Sequence, residues 1–200
     1  MGTINLFGAS GHAKVIIDII EAQGHEVGVL YDDEPNCSNI HGHNVYKANI
    51  AIPKGPLIIS IGSCSARKLI SRRYDVEYAT AVHPKTIISN SVVISEGTVV
   101  MPGAIINSDV NIGRHCIINT KSSIDHECRI GDFVHIAPGA TLSGNVKVGE
   151  CTWVGAGSVV KQGVKIGKNC MIGAGSVVVK DIPDNVIAYG NPCQVIKENT

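Results

Sequence analysis

The fold of this chain is decided by a repeating stretch whose central part, residues 112–136, reads IGRHCIINTKSSIDHECRIGDFVHI. From residue 88 to residue 178 every sixth position holds a branched aliphatic side chain, and the register never slips. The sixteen positions are Ile88, Ile94, Val100, Ile106, Ile112, Ile118, Ile124, Ile130, Ile136, Leu142, Val148, Val154, Val160, Ile166, Ile172 and Val178. Four residues after each of the first fifteen comes a small or β-branched residue, for example Val92, Thr98, Ala104 and Ser122.

A six-residue period matches neither an amphipathic helix nor an alternating strand. It matches a parallel β-helix, in which each hexad is a short strand plus a corner and three hexads close one coil. Many corners carry residues that tolerate a positive φ, among them Gly97, Gly103, Asp109, Asn145, Gly157, Gly163, Asn169 and Gly175. Five coils of eighteen residues predict a prism about 24 Å long. Ordinary strands of a β-sandwich are the alternative.

The composition sets limits on the partners and the compartment. Seventeen basic and seventeen acidic residues give a net charge of zero, which argues against nucleic acid or an anionic membrane surface as the main partner. No stretch approaches a membrane-spanning length and the start has no secretory signal, so we expect a cytoplasmic protein without membrane insertion. The seven cysteines include no Cys-x-x-Cys. Cys116, Cys128 and Cys170 lie on the small-residue track, which predicts buried thiols.

The N-terminal part reads as a β-α-β unit. Thr3 to Phe7 and Val27 to Tyr31 are predicted strands on either side of an apolar-periodic helix, and a third strand and a basic helix follow from Leu57. We therefore predict a small Rossmann-like α/β domain over residues 1–82. Residues 83–200 form the β-helix, with a C-terminal cap over its open edges.

The turn after the first strand is Gly8-Ala9-Ser10-Gly11-His12, which is less than the full dinucleotide-binding fingerprint. Such a turn still brings backbone N–H groups and a helix N-terminus towards an anion. Carboxylates after the second strand, Asp32 and Asp33, can accept hydrogen bonds from hydroxyls or a base edge. We favour nucleotide binding over a purely structural turn.

Three histidines interrupt the hexads: His115, His126 and His135. We expect His126 to project outward at a corner, with a carboxylate on each side that raises its basicity. One coil further along, eighteen residues away, Gly144 should lie beside His126, and Trp153 beside His135. The alternative is a surface histidine chosen for turn propensity, which we prefer for His115. Separations of eleven and nine residues disfavour a three-histidine metal site, so no metal is expected.

Several segments together resemble the bacterial nucleotide-sugar acetyltransferases of the PglD/NeuD type. They are Gly8 to Ala13, Asp32-Asp33, Ile61-Gly62, Asn119-Thr120, DHECRIGDFVH at residues 125–135, and Gly144-Asn145. The resemblance extends over nearly the whole chain. It implies a left-handed β-helix, whereas the general rule for parallel crossovers would give the right-handed form.

The resemblance also implies a homotrimer that uses acetyl-CoA, bound between neighbouring β-helices, and a UDP-linked amino sugar held by the small domain. In this family pattern His126 is the general base and Glu127 raises its basicity. The positions implied for acetyl-CoA are His135, Gly144, Ala156 and Ala174, with the Gly144 N–H polarising the thioester carbonyl. Those implied for the nucleotide are Ser10, Gly11, His12, Asp32, Asp33 and Gly62.

These expectations predict N-acetylation of a UDP-4-amino-4-deoxy sugar for surface glycan synthesis, by direct acyl transfer. No long loop interrupts the hexads, so the small domain must recognise the acceptor. One alternative is O-acetylation of a sialic acid or related sugar, because a hydroxyl could use the same base. Another is a non-catalytic β-helix that binds sugar or builds an assembly.

Overall fold

The N-terminal sheet is mostly parallel, as a β-α-β unit requires. The computed structural model describes residues 2–49 and 55–199; Met1, residues 50–54 and Thr200, which the predicted domain bounds include, lie outside the described residues. The strands are β1 (Thr3–Phe7), β2 (Glu26–Asp32), β3 (Asn39–Ile40), β4 (His43–Lys47) and β5 (Leu57–Ile59). Their order is β3-β4-β2-β1-β5, and only β3 and β4 pair antiparallel. The carboxyl ends of β1, β2 and β5 therefore meet at one edge of the sheet.

Two helices complete this domain, α1 (Gly11–Ala22) and α2 (Cys64–Arg73). An apolar stripe on α1 is buried: Ala13, Ile16, Ile17, Ile19 and Ile20. The Ser63 hydroxyl caps α2 by accepting a hydrogen bond from the Ala66 N–H, and cationic residues in its last turn suit the helix dipole. Both helices and strands β1, β2 and β5 were predicted; the short hairpin β3–β4 was not.

The rest of the chain winds into a prism with three walls. The first wall contains β6 (Ala81–Val82), β9 (Val99–Val100), β12 (Ile117–Ile118), β15 (His135–Ile136), β18 (Trp153–Val154), β21 (Met171–Ile172), β23 (Val186–Gly190) and β24 (Cys193–Glu198). The second contains β7 (Ile87–Ile88), β10 (Ile105–Ile106), β13 (Ser123–Ile124), β16 (Thr141–Leu142), β19 (Val159–Val160) and β22 (Val177–Val178). The third contains β8 (Val93–Ile94), β11 (Asn111–Ile112), β14 (Arg129–Ile130), β17 (Lys147–Val148) and β20 (Lys165–Ile166).

Neighbouring strands within a wall pair in parallel, and residue i lies beside residue i+18, as with Ile106 and Ile124. The aliphatic track is buried from Val100 to Val178, and the three cysteines on the small-residue track are buried too. Fully burying one such aliphatic side chain contributes about 2 kcal/mol relative to leaving it in water. The predicted repeat and the predicted buried thiols are therefore confirmed.

Every corner turns at the fourth residue of its hexad, which adopts a positive φ from Gly97 to Gly175. Glycine, asparagine or aspartate supplies most of these turns, but larger side chains occupy five of them: His115, Lys121, Glu127, Phe133 and Cys151. This conformation costs an L-residue roughly 1–2 kcal/mol. Residues held there against that cost are candidates for functional or packing roles.

Three corners join the walls. The first corner lies between the first and second walls, and the second corner lies between the second and third walls. The third corner lies between the third and first walls.

The N-terminal domain packs on the first wall, where Val99, Met101 and Ile117 share a core with α1. At the opposite end the antiparallel hairpin β23–β24 extends the first wall beyond β21. The expected cap is thus a hairpin. The exact division into residues 1–82 and 83–200 stays a prediction; β6 already pairs with β9.

Candidate functional site

His126 lies at the second corner with its ring directed outward, and its side chain is 49% exposed. Its Nδ1 is 3.1 Å from Oε2 of Glu127. A carboxylate only accepts, so Nδ1 carries the proton and Nε2 is left with a free lone pair. Glu127 reaches this position from a backbone with φ of 62°. The expected outward imidazole and its carboxylate neighbour are both present.

The second carboxylate at this corner, Asp125, is held by two hydrogen bonds to Oδ1. The Asn107 side chain donates one at 2.8 Å and the His126 backbone N–H donates the other at 2.8 Å. The bond from Asn107 is the main reason that the pKa of Asp125 is lowered. Its other oxygen, Oδ2, lies 4.0 Å from His126 Nε2. The imidazole therefore stands between two carboxylates.

Gly144 lies one coil beyond His126, as the eighteen-residue spacing predicts. A Cβ at this glycine would lie 2.5 Å from Cε1 and 2.6 Å from Nε2 of the imidazole. The absence of a side chain is therefore what gives His126 its space. Within the described residues, no backbone carbonyl or side chain accepts a hydrogen bond from the Gly144 N–H.

His135 occupies a different environment, on the first wall. It is 4% exposed, and its ring centroid is 4.0 Å from that of Trp153, which confirms their predicted pairing. The Asn119 amide donates to Nε2 at 3.0 Å, while Nδ1 is buried beside the Gly62 backbone without a well-aligned hydrogen bond. Burial above all, together with the charges of Arg67 and His12, lowers the pKa of His135 to about 3.

The crevice at the carboxyl edge of the N-terminal sheet faces this histidine. Gly8 approaches the neighbouring strand so closely that a Cβ would lie 2.9 Å from the Ser60 carbonyl oxygen. Oδ2 of Asp32 accepts from the Ala9 N–H at 2.8 Å, so this carboxylate orders the turn. Ser10 starts α1 without a side-chain capping bond, and Gly11 has open space around its Cα. Burial lowers the pKa of His12 to about 4, with a further contribution from Arg67.

Asp33 and Gly62 complete the set of predicted nucleotide contacts. Both oxygens of Asp33 accept from Arg73 Nη1, at 2.7 and 3.0 Å, so this carboxylate is engaged in an ion pair. The Gly62 carbonyl accepts from Arg67 Nη1 at 2.6 Å, and the space around its Cα is open. These residues line the same edge of the sheet as the turn at Gly8.

An apolar groove follows the first wall and the first corner near the capped end. It encloses about 390 Å³ and is lined by Ala137, Pro138, Trp153, Gly155, Ala156, Met171, Ile172, Gly173 and Ala174. Ala156 and Ala174 are exposed in it, and Trp153 connects it to His135. A groove of this kind can accept a narrow, largely apolar chain.

The predicted site residues thus form two groups in one chain. The crevice, His135, Ala156 and Ala174 lie along the first wall and the first corner, whereas His126, Glu127 and Gly144 lie at the second corner. The two corners are separated by one side of the prism, roughly 15–20 Å for six extended residues. In the described residues no three His, Cys, Asp or Glu side chains are grouped so that they could hold a metal ion.

Comparisons with known proteins agree with this geometry. The family model described as the PglD N-terminal domain matches residues 3–74, and the one described as bacterial transferase hexapeptide matches residues 145–180. A variant of perosamine N-acetyltransferase from Caulobacter crescentus, solved in complex with CoA and GDP-perosamine, is 35% identical with a TM-score of 0.92. That match covers 99% of this chain and 98% of the other.

The chain belongs to the PglD-type hexapeptide acetyltransferases. The acetyltransferase domain of PglB from Neisseria gonorrhoeae FA1090, in complex with acetyl coenzyme A, is 30% identical, with a TM-score of 0.88 and coverage of 97% of this chain and 98% of that one. WeeI from Acinetobacter baumannii AYE is 28% identical, with a TM-score of 0.87 and coverage of 98% and 100%. No curated protein sequence matches significantly. The prism is the left-handed β-helix of this PglD-type fold, as the resemblance implied.

One histidine differs from its expected role. We preferred a surface histidine at position 115, but His115 is 3% exposed. Its ring stacks on Phe133 with centroids 5.2 Å apart and meets Tyr78 edge-on at 4.6 Å. The third corner faces the N-terminal domain, so the outward direction there leads into a packed interface. Burial, with a smaller effect of the nearby arginines, lowers the pKa of His115 to about 4.

Two further residues with structural roles at these sites were not predicted. Arg67 read as one cation of a basic helix, yet it is 1% exposed and donates to carbonyls of both domains. Asn107, which donates a hydrogen bond to Asp125, lies one coil before Asp125. The eighteen-residue spacing of the coils could have predicted that the two are neighbours.

No helix in the described part of the chain is long and apolar enough to cross a membrane.

Proposed function

We propose that this chain transfers the acetyl group of acetyl-CoA to the amine of a nucleotide-linked amino sugar. The observation that carries the proposal is the second corner, where an outward imidazole bonded to a carboxylate stands beside a glycine N–H. The solved relatives support it, because they are described as sugar N-acetyltransferases or contain CoA or acetyl coenzyme A. A general base at this position suits an amine or a hydroxyl, and the relatives described as N-acetyltransferases favour the amine.

His126 acts as the general base. The hydrogen bond from Nδ1 to Glu127 leaves Nε2 to remove a proton from the sugar amine as its nitrogen attacks the thioester carbonyl. The carbonyl oxygen becomes negative in the tetrahedral intermediate, and the Gly144 N–H stabilises it. The carbon–sulfur bond then breaks, and CoA leaves with the proton that His126 returns to its sulfur. No covalent acyl-enzyme is needed when both substrates meet at one corner.

Acetyl-CoA binds along the apolar groove at Ala156 and Ala174. The exposed, almost wholly apolar lining of the groove suits the pantetheine arm of CoA. His135 borders this groove through Trp153 and stays neutral at physiological pH because burial lowers its pKa. It therefore contributes shape and a fixed amide contact rather than proton transfer.

The nucleotide lies in the crevice of the N-terminal domain. The N-terminus of α1 at Ser10 and Gly11 provides N–H groups for the diphosphate. The expectation of a UDP sugar rests on the resemblance, whereas the solved perosamine relatives hold a GDP sugar. The proposal is therefore a nucleoside-diphosphate amino sugar, with uracil as the base we test first.

The active enzyme is a homotrimer in the cytoplasm. The nucleotide crevice and His126 lie on different corners of one chain, so a neighbouring subunit must bring His126 to the sugar. Mixing two inactive variants tests this. His126→Gln lacks the base, and Gly11→Gln places a side chain in open space at the crevice. Mixed trimers recover activity if the site is shared; mixtures that stay inactive contradict the shared site.

The reaction itself is tested by incubating the protein with acetyl-CoA and four acceptors. These are a UDP-linked and a GDP-linked 4-amino sugar, the free amino sugar, and a sialic acid. We expect N-acetylated product from a nucleotide-linked amine and little from the free sugar. Product from the hydroxyl acceptor alone would identify an O-acetyltransferase instead. Absence of product from all four would favour a non-catalytic β-helix.

A further inference from the structure

Two cysteines from different domains meet at the interface beside the third corner. Cys64 is the first residue of α2, and its Sγ lies 3.1 Å from the carbonyl oxygen of Cys151 in the β-helix. Both are only partly buried, and both border a cavity of about 440 Å³ with Trp153 and Asn169. A small molecule can therefore reach the pair without separation of the domains.

The surroundings of Cys64 favour its thiolate. It lies at the N-terminus of a helix, where unpaired N–H groups attract negative charge. One turn later Arg67 is buried without a carboxylate partner in the described residues. Its guanidinium donates only to carbonyls: His115 at 2.9 Å, Ile61 at 3.0 Å, Gly62 at 2.6 Å and Phe133 at 2.6 Å. The charge of Arg67 acts on the neighbouring thiols Cys116, Cys64 and Cys151.

The balance of these effects lowers the pKa of Cys64 to about 6. The largest cause is a hydrogen bond with the Cys151 thiol; burial acts in the opposite direction, and the Arg67 charge adds to the lowering. The Cys151 carbonyl also favours the protonated Cys64, but the other contacts outweigh it. The pKa of Cys151 is raised, because its proton is shared with Cys64.

Two further observations show that the contact is held in place. Cys151 occupies a corner position with φ of 56°, where neighbouring hexads use glycine or asparagine. Lys68 Nζ and Glu150 Oε1 form an ion pair at 2.6 Å between the same helix and the same corner. The two cysteines are therefore held next to each other across the interface.

We propose that Cys64 and Cys151 form a peroxide-sensitive dithiol that locks the N-terminal domain to the β-helix. The Cys64 thiolate attacks one oxygen of hydrogen peroxide, the O–O bond breaks, and hydroxide leaves, so that Cys64 becomes a sulfenic acid. The Cys151 sulfur then attacks the Cys64 sulfur. The S–S bond forms, the S–O bond breaks, and the Cys151 proton leaves with the hydroxide as water. Two thiols are oxidised and one peroxide is reduced to two waters.

The disulfide acts on a part of the molecule next to the nucleotide crevice. Helix α2 carries Arg67, whose guanidinium holds the Gly62 carbonyl. A covalent bond from the first residue of α2 to the β-helix fixes this helix, and with it the turn at Gly62. The modification does not depend on the proposed acetyl transfer, so its test needs no sugar or CoA.

The test is to expose the reduced protein to about one equivalent of hydrogen peroxide, block the remaining thiols and map the peptides by mass spectrometry. We expect a Cys64–Cys151 peptide and the loss of two thiols per chain. Cys151→Ser should stop at a Cys64 sulfenic acid that dimedone traps, and Cys64→Ser should leave Cys151 reduced. Cys37→Ser, at an exposed cysteine remote from the interface, is the control and should behave as the wild type.

A spectroscopic measurement separates this proposal from general oxidation. Trp153 is the single tryptophan of the chain and lines the same cavity, so its fluorescence should change with peroxide in the wild type and in Cys37→Ser but not in Cys64→Ser. At pH 6 iodoacetamide should alkylate Cys64 roughly tenfold faster than Cys37. Faster alkylation of Cys37, or a disulfide between other cysteines, would overturn the proposal. Unchanged circular dichroism of the serine variants verifies that they fold.

Discussion

Two histidines in this β-helix each lie against a glycine one coil away, yet their environments are opposite. A Cβ at Gly97 would collide with the His115 ring, just as a Cβ at Gly144 would collide with that of His126. His115 is 3% exposed and packs against two aromatic rings, one stacked and one edge-on. The side chain of His126 is 49% exposed and stands between two carboxylates. The repeat supplies the same small neighbour to both residues.

The difference lies in what the outside of each corner faces. The third corner is covered by the N-terminal domain, so His115 loses water and stays neutral. The second corner faces solvent in the single chain, so His126 keeps both water and its carboxylate partners. The environment of a histidine at a corner of this β-helix therefore depends on whether another domain or solvent lies outside that corner. Substitutions at the two corners and a change of pH should separate the two environments, and the largest effect is expected at His126.

Replacement of His126, the proposed general base, should have the largest effect on catalysis. We expect His126→Gln to lower kcat/KM for the nucleotide-linked amine by roughly 10²–10⁴-fold, the range typical of a lost general base. Steady-state assays measure the change. His43 offers a matched control, because it is also paired with a glutamate but lies in the N-terminal domain. Its Nε2 is 3.3 Å from Oε1 of Glu21. His43→Gln should keep full activity. Equal losses of kcat/KM in the two variants would contradict a specific role of His126 in catalysis.

Replacement of the two glycines should separate activity from stability. Gly144 does not use a positive φ, so Gly144→Ala should fold normally but displace the imidazole. Displacement by about 1 Å can cost up to about 10²-fold in kcat. Gly97 has φ of 70°, so Gly97→Ala should instead lower the free energy of unfolding, by about 1–2 kcal/mol from backbone strain alone. Urea unfolding and initial rates distinguish the two outcomes. A Gly144→Ala enzyme of normal kcat would contradict the proposed role of this corner.

The buried histidines should make stability depend on pH. The pKa values of His115 and His135 are lowered to about 4 and about 3, from 6.5. The unfolded chain therefore binds more protons below pH 6.5, and stability falls as the pH falls from 6.5 towards 4. At pH 5 each imidazole should cost about 2 kcal/mol relative to pH 7.5. Urea midpoints at the two pH values measure this. Asparagine tolerates the positive φ, so His115→Asn should show a smaller pH dependence of stability. An unchanged dependence would mean that His115 does not contribute to it.

Much of the fold could be predicted from the sequence, because each six-residue repeat contains its own structural information. The aliphatic at every sixth position, as at Ile118 and Ile124, specifies the inward direction of its own hexad. Addition of eighteen to a residue number gives its neighbour in the next coil, which placed Gly144 beside His126 and Trp153 beside His135. The resemblance to the PglD/NeuD type then predicted chemical roles for these positions. All of these site assignments, at the two corners and at the nucleotide turn, stay predictions.

The contacts between the domains could not be read in this way. Nothing local distinguishes Arg67 from Arg72 or Arg73, although only Arg67 is buried among carbonyls. Cys64 carries no sequence signature, and its partner is 87 residues away. Such pairings depend on how one domain sits on another, which no periodic pattern encodes.

The sequence by itself determined the prism, because six-residue periodicity fixes which side chains face inward and which turn at a corner. It also determined the local dyad of His126 and Glu127, which are adjacent in the chain. Only the tertiary structure decided which corners are covered and which are open. Burial by a distant segment is a long-range property, and it is what makes His115 a neutral packing residue and leaves His126 exposed between its carboxylates.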